Sequence, residues 1–166
     1  MPIGQGTLPP GDRAAIAAFH QETARLQRAA MGAGAALGET EARLKLLIQA
    51  IDATPKAPAA LRESARALTS RLEDLRTDFS GDQTIANRQE ATPPTIMGRI
   101  QRIVFGTWST ASAPTATHRR SYAIADEELR GFIPKLRAAA EDLRKLEDAA
   151  EAAGAPWTPG RIPRWP

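Results

Sequence analysis

The chain has 166 residues, of which 42% are hydrophobic and 25% charged, with a formal net charge of +3 and no cysteine. That length corresponds to one domain, large enough to bury a core without staples, and the lack of cysteine excludes disulfides, thiolate metal sites and cysteine nucleophiles. The positive charge does not read as a nucleic-acid footprint: residues 81–120 carry five arginines against two acids and residues 121–153 carry eight acids against five bases, so the segments can neutralise each other, whereas a binder collects its bases on one face.

Residues 1–11 are rich in glycine and proline and read as a linker, with Met1-Pro2-Ile3-Gly4 lacking the basic and apolar regions of a signal peptide. Asp12 is suited to cap a first helix. From Ile16 an apolar stripe runs through Phe19, Thr23, Leu26, Ala30, Ala33, Leu37, Thr40, Leu44 and Leu47 to Ile51. Its alternating spacings of three and four keep one narrow face toward a partner helix, as in a coiled-coil seam. Gly32, Gly34 and Gly38 could break this helix, but the stripe crosses them without losing phase. One helix over 12–53 is therefore predicted, ended by Thr54-Pro55.

Pro58 fits the first position of a second helix, whose stripe of Leu61, Ala65, Leu68, Leu72, Leu75 and Phe79 is closed by Gly81. Residues 81–93 read as a polar loop. A short third helix follows, with Ile96, Ile100, Ile103, Val104 and Trp108 inward, and then an extended connection from Ser109 to Thr117. The last helix, predicted over 117–153, carries the stripe Tyr122, Ala125, Leu129, Phe132, Leu136, Ala139, Leu143, Leu146, Ala150 and Ala153. Pro134 lies in its middle, and since the stripe stays in register beyond it, a kink and not a break is expected. The expected fold is all-α: an elongated antiparallel bundle of two long helices with a third leg split into two shorter ones. The domain spans 12–153, with the Pro/Trp tail 154–166 folded back on it through Trp157 and Trp165. A conventional four-helix bundle is the alternative, and it leaves the long helices protruding.

The polar residues worth weighing lie in the connections: Asp82, Arg88, Glu90, Trp108, His118, Arg119, Arg120 and Tyr122. Arg119 and Arg120 fall in the first turn of the last helix, where the macrodipole disfavours cations, so a compensating partner is expected. Asp82 and Glu90 are the nearby acids, either as an internal cluster pinning both loops or as part of a polar docking site. Catalysis is poorly served. His118 has no second ligand at metal spacing. Asp82 and Glu90 could serve as acid and base across a glycosidic bond, but a salt-bridged carboxylate is held ionised and is unfit as a proton donor. No phosphate loop or nucleophile elbow is present, and no cofactor is expected.

Four stretches carry a resemblance: Thr92-Pro93-Pro94-Thr95-Ile96, Gly106-Thr107-Trp108-Ser109-Thr110, Ala113-Pro114-Thr115-Ala116-Thr117-His118-Arg119-Arg120-Ser121-Tyr122, and Ala152-Ala153-Gly154-Ala155-Pro156-Trp157-Thr158-Pro159-Gly160-Arg161. Together they resemble the C-terminal helical region of bacterial BNR-repeat, sortilin-like β-propeller proteins, often labelled glycosyl hydrolases. The resemblance covers most of the chain from residue 12. It implies a non-catalytic accessory module beyond propellers that would carry any ligand or hydrolase site, and an extracytoplasmic place in a bacterium. β-rich sequence with repeated Ser/Asp-box turns is absent here. The expected partner is the β-propeller domain of the parent protein or another protein, with no nucleic acid and no membrane span. A self-associating homodimer is the rival interaction reading, and a glycoside hydrolase the catalytic one.

Overall fold

The computed structural model describes residues 10–88, 92–108 and 112–163. It is all-α among these residues, with α1 at Pro10–Asp52, α2 at Ala59–Ser80, α3 at Gln83–Asn87, α4 at Ile96–Trp108 and α5 at Ala116–Ala152. With 43 and 37 residues, α1 and α5 are rods of about 64 and 55 Å at 1.5 Å per residue. Helices α2 and α4, each packed on both rods, make up the third leg.

Cross-helix pairs fix the directions. Phe19 meets Tyr122 near the start of both rods, and Arg43 meets Glu147 near their ends. The residue numbers of the second pair differ by 104 and those of the first by almost the same amount, so α1 and α5 run parallel and in register. The third leg runs the other way: Arg62 reaches Asp52 and Arg76 reaches Glu41 on α1, while Arg99 reaches Glu128 on α5. The bundle is thus down, up, down. We call the end where α1 and α5 begin and α4 stops the upper end.

The stripes explain why these segments are helices of this length. From Phe19 to Ile51 every position of the first stripe is buried, and so is every position of the last from Ala125 to Ala150. On α2 the buried face is Ala65, Leu68, Leu72, Leu75 and Phe79. A face this long is stabilised by tertiary packing more than by propensity, which is how α1 runs through Gly32, Gly34 and Gly38 and α5 through Pro134.

Several boundaries differ from the sequence expectation. Asp12 lies inside the first turn of α1, because the helix already starts at Pro10; proline suits a first helical position, where its missing N–H is not needed. Pro58 is the cap residue before α2, in extended geometry, and not its first helical residue. The segment 81–93 is not all loop, since α3 forms within it. Trp108 is not inward: it is 84% exposed, and Thr107 takes the buried place, with Oγ1 donating to the Ile103 carbonyl at 2.8 Å. The buried set Ile96, Ile100, Ile103, Thr107 is spaced four, three, four, so Trp108 falls one position off the stripe.

The chain leaves α5 through a Schellman turn: Gly154 has φ +85°, its N–H donates to the Glu151 carbonyl at 3.0 Å, and the Ala155 N–H donates to Ala150 at 2.9 Å. Ala155 is buried there. The tail then returns along α5 until Arg161 grips Glu151 (2.6 and 2.8 Å) and Asp148. For Trp157 the expectation that tryptophans hold the tail is corrected. Trp157 is 41% exposed, Trp165 lies outside the described residues, and Ala155, Thr158 and Arg161 make the attachment.

Candidate functional site

Five of the eight singled-out residues meet at the upper end. Thr115 caps α5, its Oγ1 accepting from the His118 N–H at 3.2 Å. His118 then lies against α4, where a Cβ on Gly106 would come within 2.6 Å of Nε2. Only glycine allows that approach, and it brings the end of α4 onto the start of α5. His118 Nδ1 is buried there without a hydrogen-bond partner. One turn on, Tyr122 packs its ring 5.8 Å from Phe19 of α1. Burial raises its phenol pKa above 10.0, helped by the negative charges of Asp126 and Glu22.

The expected ion-pair cluster does not form among the described residues. Arg119 places its guanidinium 5.6 Å from the centre of the Phe19 ring, and the ring quadrupole, not a carboxylate, offsets part of the macrodipole penalty. Arg120 is exposed and in no ion pair among the described residues. Asp82 is in no ion pair with either among the described residues. It lines a space whose α5 wall runs from Glu128 to Lys135, the nearest of these eight residues, or about 12 Å, beyond Arg120. Its carboxylate instead starts α3, accepting from the Thr84 N–H at 2.7 Å and from the Thr84 hydroxyl. Those bonds hold its pKa below 3.8, so it stays ionised and is a poor proton donor. Arg88 is exposed just past α3, and Glu90 lies outside the described residues.

What phase alone could have found is Phe105. It sits opposite Ile103 on α4 and is 76% exposed, on the same face as Trp108 three residues on. Arg102, one turn earlier, is also exposed. The upper end therefore presents two large aromatics together with Arg102, Arg119 and Arg120, none of the three in an ion pair among the described residues.

No family model, curated protein or solved structure matches the chain. Function is read from the chemistry of its surface. Among the described residues no helix is long and apolar enough to cross a membrane, and no group of three His, Asp or Glu side chains is placed to hold a metal ion.

The best-formed polar network was missed from the sequence, and it lies at the opposite end. Glu147 is 1% exposed and accepts from Arg43 Nε and Nη2 at 2.7–3.1 Å, while Arg161 stands 3.8 Å away. It joins α1, α5 and the tail. All of its members are engaged with one another, which makes it structural in character.

Proposed function

We propose that the chain is a non-catalytic interaction module of a larger β-propeller protein, and that it docks through its upper end. The observation that carries this reading is the exposed pair Phe105 and Trp108 beside three arginines without acidic partners among the described residues. Trp and Arg are the side chains that most often dominate binding energy at interfaces. Covering each aromatic gains about 1.5–3 kcal/mol. The arginines select a partner surface bearing carboxylates, through complementary charge. The resemblance of residues 113–122 and of the tail to the helical region of sortilin-like proteins supports a propeller domain as that partner.

The test supplies the parent propeller domain separately and titrates it with this chain by calorimetry. Binding is expected, with Trp108→Ala and Phe105→Ala each weakening it about tenfold or more while leaving the melting temperature of the isolated chain unchanged. Equal affinity in both variants, or no binding, removes the docking reading. Light scattering of the isolated chain distinguishes it from homodimerisation, and assay on generic glycosides from a hydrolase.

A further inference from the structure

We propose that the middle of the bundle is a hinge, a thin slab in which all three legs are weakened at one level so that the upper end can bend against the lower half. This inference does not depend on the docking reading.

The level follows from the register of the rods. An offset of 104 between α1 and α5 sets Pro134 opposite residue 30, so Gly32 lies within about 3 Å of its height. Gly131 is less than one turn above. At the same level the third leg has no through-going helix: α2 stops at Ser80, Gly81 takes φ +88°, and α4 begins only at Ile96. Both edges of that break, Gly81 and Ile96, face Glu128, Gly131, Phe132 and Lys135 of α5.

Packing accounts for one glycine here and leaves two without a reason. Gly34 is required, since a Cβ would meet the Phe79 ring at 2.8 Å. At Gly32 and Gly131 a Cβ would meet nothing within 4 Å, and neither has a positive φ. Each weakens its helix relative to alanine without gaining a contact or a turn. Pro134 adds a missing N–H to the Arg130 carbonyl in the same stretch of α5. Glycine and proline are the usual causes of bending in long helices, and here they coincide with the break between α2 and α4.

A space of about 460 Å³ lies on the third-leg side, with Thr77 and Asp78 below, Thr95 and Ile96 above and α5 as its floor. Asp82, Ile85 and Thr92 to Pro94 line it as well, so the break at the hinge level is incompletely filled.

The chain contains no cysteine, so paired spin labels can be placed freely. One pair, Ala67→Cys with Gln101→Cys, spans the break from exposed sites on α2 and α4. A control pair, Ala60→Cys with Glu73→Cys, stays on α2. The distance distribution across the break is expected to be broader than the control and to narrow toward it in the Gly32→Ala/Gly131→Ala background. In that background amides of residues 28–36, 130–133 and 135–138 are expected to exchange about fivefold more slowly, the factor equivalent to 1 kcal/mol. A cross-break distribution as narrow as the control, or a width that the alanines do not change, or unchanged amide exchange, overturns the hinge.

Discussion

Arg43 and Glu147 form a two-pronged ion pair between parallel rods, with the carboxylate almost wholly out of water and all three nitrogen–oxygen contacts at 2.7–3.1 Å. Removing the arginine leaves a buried charge whose remaining cation, Arg161, is 3.8 Å away. Arg43→Ala should therefore destabilise the chain by about 3 kcal/mol, the lower end for breaking a buried pair because Arg43 itself is partly exposed. Replacing both residues, Arg43→Met with Glu147→Leu, should recover most of that loss. Urea unfolding at constant slope measures both; a single variant as stable as wild type would show that the pair contributes nothing.

The tail should depend on its arginine and not on its tryptophan. Arg161 engages Glu151 and Asp148, which raise its pKa further above its already high ordinary value. Arg161→Ala should cost about 2 kcal/mol, or a fall in melting temperature of about 4–8 °C for a chain of this size, and the loss should shrink in high salt. Trp157→Ala should lower it much less. A larger effect from Trp157 would reverse the assignment of the anchor.

Two glycines two residues apart on α1, and so on nearly opposite faces of the helix, should respond with opposite signs. Gly34→Ala drives a methyl into Phe79, whose ring is backed by Phe132 at 5.2 Å and cannot easily retreat; overpacking of this kind costs about 1–3 kcal/mol. Gly32→Ala meets open space and should stabilise by about 0.5–1 kcal/mol. Thermal melts of the two single variants would settle it, and a stabilised Gly34→Ala would mean that the aromatic pair yields.

Acid should weaken the chain through Asp142, which joins Arg71 of α2 at 2.7 Å and Lys145 at 3.1 Å. The Arg71 hydrogen bond, then that of Lys145, lowers its pKa below 3.8. A depressed carboxyl contributes stability that is complete above its unfolded value and is lost as pH falls through the folded one. Its contribution should thus be constant at neutral pH and fade below about pH 4. Asp142→Asn should flatten the acid limb of a stability–pH curve while lowering its neutral plateau. An unchanged acid limb would place the titration elsewhere.

Fold and site differed in how far the sequence disclosed them. A stripe such as Leu26, Ala30, Ala33, Leu37 is a statement about phase, and phase survives in a sequence; it fixed the rods, the split leg and the passage through Pro134. Trp108 was misplaced because one position on a helix is 100°, enough to turn an inward side chain outward. Arg119 was misassigned because the macrodipole says only that a cation needs compensation, not that an aromatic face will supply it. Glu147 could not be found at all. It stands beside Leu146, where a charge is ordinarily solvated, and its burial depends on two arginines distant in the chain. The attachment of the tail was hidden for the same reason.

An odd number of legs has a consequence for what the molecule can be attached to. Chain entry at Pro10 and the turn that anchors the tail near Glu151 belong to opposite ends, separated by most of a 43-residue helix, or about 60 Å. A hairpin-like bundle would bring the two points side by side and act as an inserted knob. This one behaves as a spacer: anything joined ahead of α1 and anything joined behind the tail attach at opposite ends, and a fluorophore on each would read both the span between them and its variation as the hinge bends.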